Sequence, residues 1–150
     1  MYYNSSYKDK LPGIDAMSHA VMTKYDDFDD NLSRRLTKMV MQLFSHWKLT
    51  YEEQAILLGL STSTHTSINR YKRGLSHIRL NQDTYDRIRF LLSIHKSLRT
   101  LFPMNRDLAY AWMKKPNAHF NYRTPLQVAI EQGFLGLASV HDYIESVKVH

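Results

Sequence analysis

Apolar residues recur at three- and four-residue steps along most of the chain, the spacing that builds one apolar face of a helix. One such stripe extends from Leu32 to Trp47, a second from Ile88 to Phe102, and a third from Leu137 to Val147. No segment alternates between apolar and polar positions for long enough to predict a strand. The pattern therefore predicts an all-α protein without internal repeats.

Capping and breaking residues divide the chain into separate helices. Thr50 and Glu53 match a capping box, in which each side chain accepts a hydrogen bond from the other residue's backbone N–H. Gly59 and Gly74 are placed to end the next two helices, the second of them over Ser61–Arg73. The remaining boundaries are indicated by Asn81 or Asp83, Pro103, Asn105, Thr124-Pro125 and Gly133.

The length and composition fit one compact domain, or two small ones that share a core. The chain has 150 residues, of which 43% are apolar, and no cysteine. The absence of cysteine excludes disulfides and a thiolate nucleophile and fits a reducing cytosol. No stretch approaches the roughly 20 apolar residues of a membrane span, and the N-terminus lacks the apolar core of a signal peptide. A cytoplasmic protein is therefore expected.

Positive charge is concentrated in the middle of the chain. Residues 1–30 hold three Lys and six Asp, a net charge of −3, whereas residues 31–100 hold twelve Lys or Arg and four Asp or Glu, a net charge of +8. A basic middle indicates a polyanionic partner, most often nucleic acid, although a solvated basic face has the same composition.

The first 30 residues are polar, locally acidic and interrupted by Pro12-Gly13, which predicts a flexible N-terminal extension. Their four aspartates between Asp26 and Asp30 are of a type that binds calcium. However, no loop glycine or distal glutamate follows at the spacing that a calcium loop requires. A solvated acidic segment is the better interpretation.

The segment from Leu49 to Gly74 has the order of a helix-turn-helix. Its first helix carries Ala55, which is small enough for a close helix contact, and Gly59 stands at the turn, where a left-handed residue is needed. The span from Gly59 to Gly74 is about three residues longer than in the usual short form. The second helix is therefore displaced, or its first turn is a loop.

The second helix of this motif presents a polar outer face if Ile68 points inward, at about 100° per residue. Its hydroxyl, amide and guanidinium groups suit phosphates and the base edges of the major groove. The candidate DNA-binding residues are Ser63, Thr66, Ser67, Asn69, Arg70 and Arg73. An ordinary polar face of a bundle helix is the alternative, but the turn together with the basic charge favours DNA.

The stretch AWMKKPNAHFNYRTPL, residues 111–126, is polar but contains aromatic residues and an arginine. Its break and start signals predict a helix–loop–helix connection. Aromatic loop residues usually pack on the local core, although Trp, Tyr and Arg are also enriched at binding hot spots. The residues concerned are Trp112, Phe120, Tyr122 and Arg123. An ordered interaction loop is predicted, without its partner.

Residues 101–147 resemble the C-terminal toxin-binding domain of the Xre/MbcA/ParS antitoxin family. The matching positions are Trp112, Pro116-Asn117, Phe120, Pro125-Leu126, Gly133, Leu137, Val140 and Tyr143-Ile144. Upstream, LTYEEQAILLGLS and RIRFLLSIHKSLRTLF resemble the Xre-like helix-turn-helix half of the same family. The predicted organisation is a flexible extension over 1–30, a helix-turn-helix domain over 31–102 and a small helical toxin-binding domain over 103–150.

The resemblance implies the antitoxin of a type II toxin–antitoxin system. Such a protein neutralises a RES-domain, NAD-depleting toxin by direct binding and represses its own operon through operator DNA. It forms a homodimer within the toxin complex and needs no cofactor or metal. The toxin-facing residues carried over are Trp112, Asn117, Phe120 and Arg123, with Lys148 and His150 in a tail that leaves the last helix. As departures, Asn121-Tyr122 stand where the family usually has glycine, and His141-Asp142 replace a commonly basic pair.

Two other classes of function compete with the antitoxin interpretation. For an enzyme, the eight histidines include no pair at metal-ligand spacing on a helix, and no glycine-rich phosphate loop is present. A stand-alone helix-turn-helix regulator, whose C-terminal half serves only to dimerise, is the closer alternative. A co-transcribed toxin gene next to this one distinguishes the antitoxin from the regulator.

Overall fold

The structure is a computed structural model that describes the backbone of residues 14–61 and 65–149 and the side chains of residues 30–61 and 65–149. Within these residues it consists of six α-helices and two short 3-10 helices and contains no strand. The predicted all-α class is therefore confirmed.

The helices follow one another with short connections. The α-helices are α1 (Ile14–His46), α2 (Tyr51–Leu58), α3 (His65–Lys72), α4 (Gln82–Leu101), α5 (Arg106–Ala111) and α6 (Pro125–Val149). The 3-10 helices, Trp112–Lys114 and Ala118–Phe120, lie between α5 and α6. Helix α6 is interrupted at Gly133, whose backbone leaves the helical region with φ 62° and ψ −141°, as its predicted stop indicated.

The first helix begins much earlier than its apolar stripe suggested. Helix α1 starts at Ile14, so the predicted start near Leu32 is wrong. Extending an existing helix adds one hydrogen bond for each residue fixed, which allows a polar segment to continue an amphipathic one. The flexibility of residues 1–30 stays a prediction, and residues 1–13 lie outside the described residues.

The helix-turn-helix begins as its capping residues predicted. The backbone N–H of Thr50 donates to Glu53 Oε1 at 2.8 Å, and the N–H of Glu53 donates to Thr50 Oγ1 at 3.1 Å. Gly59 then adopts φ 73° and ends α2. These local contacts confirm the predicted start and end of α2.

The second helix of the motif starts later than predicted. Helix α3 begins at His65 rather than at Ser61, which is not helical, and residues 62–64 lie outside the described part. A serine hydroxyl can form hydrogen bonds with nearby backbone groups in non-helical conformations, which disfavours a helix start at Ser61. Gly74, with φ 73°, follows α3 as predicted.

One contiguous hydrophobic core joins elements from α1 to α6. Its fully buried side chains include Phe44, Leu57, Ile68, Ile88, Leu98, Ala109, Met113, Val140 and Ile144. The core therefore crosses the predicted boundary between residues 102 and 103, which itself stays a prediction. Within the described part of the chain, no helix has both the length and the apolarity to cross a membrane.

Candidate interaction sites

The connection between α5 and α6 contains an ordered loop, residues 117–124, which we call the bridge loop. The backbone N–H of Asn117 donates to the carbonyl of Arg123 at 3.1 Å, and the N–H of Tyr122 donates to the carbonyl of Asn117 at 2.9 Å. The first pair forms an isolated antiparallel bridge. The backbone of the loop is thus closed on itself, which gives the ordered loop that the sequence predicted.

Side-chain caps fix both ends of the bridge loop. Asn117 Oδ1 accepts a hydrogen bond from the N–H of His119 at 2.9 Å, so the amide that was assigned to the toxin points at the loop's own backbone. At the other end, Thr124 and Gln127 form reciprocal hydrogen bonds of 2.8 and 3.0 Å that cap α6. Asn117 consequently shapes the loop, whatever else it contacts.

An aromatic cluster lies under the bridge loop, around Tyr143 of α6. The ring of His119 stacks on Tyr143 with centroids 4.0 Å apart, Phe120 meets it edge-on at 5.4 Å, and Trp112 is parallel to it at 6.4 Å. Trp112 and Phe120 are half-buried and pack against the core. Two of the predicted toxin-facing residues, Phe120 in the loop and Trp112 before it, therefore pack inward against Tyr143 of α6.

The two cationic candidates of the toxin surface both have partners within the chain. The guanidinium of Arg123 donates to Glu131, although 36% of the Arg123 side chain is exposed. The ammonium of Lys148 donates to Ser97 Oγ at 3.1 Å and forms an ion pair of 3.1 Å with Glu145. The sequence placed Lys148 in a tail, which is wrong, because α6 continues to Val149. His150 lies outside the described residues.

The contacts of Lys148 belong to a small polar network between α4 and α6. The buried hydroxyl of Ser97 donates to Glu145 Oε1 at 2.6 Å. This hydrogen bond, followed by the hydrogen bond and charge of Lys148, lowers the pKa of Glu145 below its usual value. The carboxylate is therefore ionised at neutral pH and ties the end of α6 to α4. These two helices are distant in sequence, so the network had no local sequence signature.

The outer face of α3 has the exposure that the DNA hypothesis requires. Ile68 is fully buried, as the angular analysis assumed, and Thr66, Arg70 and Arg73 are exposed. Ser67 and Asn69 are half-buried at the flanks. Ser63 lies outside the described residues. The structure thus presents two guanidinium groups and a hydroxyl on one side of α3 and the turn after it.

A cleft of about 620 Å³ lies between α1 and the C-terminal end of α3. Five basic side chains from α1, from the end of α3 and from the connection after it line the cleft: Arg34, Lys38, Lys72, Arg73 and His77. Asp30 pairs with Arg34 at 3.0 Å and with His77 at 2.7 Å. The hydrogen bond from Arg34 lowers the pKa of Asp30, which keeps that carboxylate charged.

This basic cleft was missed by the sequence analysis. Lys72 lies close to the direction of the buried Ile68 on α3, yet its side chain is exposed. A long lysine stem can run along the protein surface and place its ammonium in solvent. Arg34 and Lys38 are far from α3 in sequence, so only the overall charge of residues 31–100 pointed to them. Among the described residues, no three His, Asp or Glu side chains converge as a metal site requires.

Comparison with known proteins identifies the region that contains the bridge loop. The chain is similar to the uncharacterized protein y4oB of Sinorhizobium fredii, with 29% identity over 107 residues that cover 71% of this chain and 79% of that protein. Residues 97–148 match the family model described as the antitoxin Xre/MbcA/ParS C-terminal toxin-binding domain. This range extends from the last turns of α4 almost to the end of α6 and includes the aromatic cluster. The resemblance of the C-terminal region to the Xre/MbcA/ParS toxin-binding domain, which the sequence predicted, is therefore confirmed.

Proposed function

We propose that this chain is the antitoxin of a type II toxin–antitoxin system and neutralises a RES-type, NAD-depleting toxin by direct binding. The proposal rests on the match of residues 97–148 to a toxin-binding domain. In this proposal the chain is not an enzyme, acts in the cytoplasm and forms a homodimer within the toxin complex. A toxin site that takes NAD must accept phosphate groups, so cationic and hydrogen-bonding side chains of the antitoxin are chemically suited to block it.

The bridge loop is the surface that we assign to the toxin. Its internal hydrogen bonds hold it in one conformation, so binding requires little additional ordering of the backbone. Arg123 supplies a partly exposed guanidinium, a group that forms paired hydrogen bonds with carboxylates and phosphates. Lys148, in the last turn of α6, and His150, outside the described residues, stay candidates for a second contact.

The first test is co-expression of this chain with the protein encoded by the adjacent gene, followed by co-purification and a growth-rescue assay. We expect Arg123→Ala to weaken the complex by about 30-fold, the effect of losing a binding hot spot of roughly 2 kcal/mol. Dissociation constants from isothermal titration calorimetry measure this effect.

Glu131→Gln is the matched control for Arg123→Ala, since it breaks the same intrachain ion pair but keeps the guanidinium. We expect it to bind at least as tightly as the wild type. Equal affinity of all three proteins would remove Arg123 from the interface. A wild-type chain that neither binds the neighbouring product nor rescues growth would favour the stand-alone regulator.

We further propose that the chain binds operator DNA and represses its own operon. Thr66 and Arg70 on the exposed face of α3 are suited to base edges, and Arg73 to base edges or phosphate. The observation that favours this second function is the basic cleft beside α3, because Lys38 and Lys72 bring positive charge from two helices to one place. Phosphate contacts of this kind set the orientation of a protein on the duplex.

The DNA proposal predicts two separable effects. Lys38→Gln with Lys72→Gln should weaken binding to operator and unrelated DNA alike, and should flatten the salt dependence by about two units. Arg70→Ala should cost about 1–3 kcal/mol on the operator if it reads a guanine. Fluorescence anisotropy at several salt concentrations measures both, with Lys96→Gln as a control outside the cleft. An unchanged salt slope in the double variant would contradict a DNA-binding role of the cleft.

A further inference from the structure

The bridge loop holds two consecutive residues other than glycine in the left-handed conformation. Asn121 has φ 56° and Tyr122 has φ 65°. Asparagine tolerates this conformation because its short polar side chain bonds locally, whereas a bulky residue adopts it rarely and under strain. Strain of this kind persists only where the surrounding structure imposes it, and it clusters at functional sites.

Backbone hydrogen bonds on both sides of Tyr122 impose the strained conformation. The N–H of Tyr122 donates to the carbonyl of Asn117 at 2.9 Å, and the N–H of Arg123 donates to the carbonyl of Phe120 at 3.1 Å. The N–H of Asn121 donates to the carbonyl of Ala118 at 3.1 Å. A glycine at position 122 would retain all three bonds without the strain. The backbone conformation at position 122 therefore gives no reason for a tyrosine there.

The side chain of Tyr122 does not offset this strain by packing within the described chain. Its relative exposure is 75%, and it takes part in no ring stacking, hydrogen bond or ion pair with the described residues. Its neighbour Phe120, by contrast, packs edge-on against Tyr143. A rigid backbone thus presents an exposed aromatic ring at a strained position.

We propose that Tyr122 is the anchor of the toxin-binding surface and that its ring enters an apolar pocket of the toxin. This inference rests on the proposed antitoxin function and names the residue on which that surface depends. Tyrosine is suited to the role because it buries a large area, offers a hydroxyl for hydrogen bonding and has few rotatable bonds to immobilise. A preorganised loop lowers the ordering cost further.

The surroundings of Tyr122 indicate the shape of the partner surface. Arg123, the next residue along the chain, pairs with Glu131, so a charged pair directly follows the exposed tyrosine in the loop. Interfaces commonly have an apolar centre enclosed by a polar rim. The toxin pocket should therefore be apolar where it receives the ring and should carry polar or charged groups at its edge.

The test compares three variants of the full chain, with the purified product of the adjacent gene as the probe. Tyr122→Gly should raise the melting temperature by about 2–4 °C through loss of strain and weaken toxin binding by about 30-fold or more. Lys48→Gly is the matched control, because Lys48 has a similar left-handed conformation, with φ 55°, but lies outside the bridge loop. It should leave binding within about two-fold of the wild type, as expected for a position that carries no anchor.

Tyr122→Phe isolates the contribution of the ring, and it should retain clearly more binding than Tyr122→Gly. If Tyr122→Gly binds as tightly as the wild type, Tyr122 is not the anchor. If Tyr122→Phe binds as weakly as Tyr122→Gly, the hydroxyl and not the ring makes the contact, and the apolar pocket is wrong. In both cases the proposed antitoxin function stands. If the wild-type chain does not bind the probe, the proposed function and this inference are overturned together.

Discussion

Gly136→Ala is expected to lower the free energy of unfolding by about 3 kcal/mol, the upper part of the range for overpacked sites. A Cβ atom at this position would lie 2.3 Å from the carbonyl oxygen of Val128 and 2.7 Å from the Cβ of Gln132. Backbone atoms cannot rotate away from such a contact, so the two segments of α6 must separate. Urea denaturation followed by circular dichroism measures the loss.

Gly74→Ala is the control for Gly136→Ala. Gly74 has φ 73°, but nothing lies within 4 Å of the Cβ that would be added there. The free energy of unfolding of Gly74→Ala should therefore fall by only roughly 1 kcal/mol, the cost of holding an alanine in the left-handed conformation. Equal losses at the two glycines would mean that steric contact at Gly136 is relieved by a small shift of α6, which would contradict the prediction.

Met113→Ala is expected to lower the free energy of unfolding by about 2–5 kcal/mol, the range for removing a fully buried side chain. Met113 has 0% relative exposure and belongs to the core that extends from α1 to α6. Because that core is continuous, the protein should unfold in a single transition, with the proposed toxin binding and the proposed DNA binding lost at the same urea concentration.

Met104→Ala makes the same chemical change at an exposed position. The side chain of Met104 is 96% exposed, so its loss should alter the free energy of unfolding by less than about 0.5 kcal/mol. Two separate transitions in Met113→Ala, one for each half of the chain, would show that the core does not couple them.

Helix boundaries were predictable where one side chain satisfies a nearby backbone group. The side-chain oxygen of Thr50 caps α2 by accepting a hydrogen bond from the backbone N–H three residues later. Asn81 and Asn105 cap α4 and α5 in the same way. Thr124 caps α6 in the same way. Each of these hydrogen bonds joins residues only three positions apart, so the local sequence is enough to predict it.

Features that depend on packing between distant segments were not predictable. The close approach of Gly136 to Val128 follows from the break at Gly133, and the basic cleft follows from the packing of α1 beside α3. Sequence similarity indicated Asn117 and Arg123 as residues of the toxin-binding region, but it could not show that both have partners inside the chain. The departure from glycine at Asn121-Tyr122 was visible in the sequence. The backbone angles show that both residues adopt the left-handed conformation that glycine tolerates best.

In the proposed antitoxin, the continuous core would make the lifetime of the protein depend on its toxin. A toxin bound at the bridge loop stabilises the whole folded chain, and at a concentration one hundred times its dissociation constant it adds about 2.7 kcal/mol. Proteases that attack the unfolded chain then find roughly one hundred times fewer molecules to degrade. Because α3 shares the same core, the amount of protein able to bind DNA would, under the same proposal, rise and fall with the toxin, and degradation would remove both proposed activities at once.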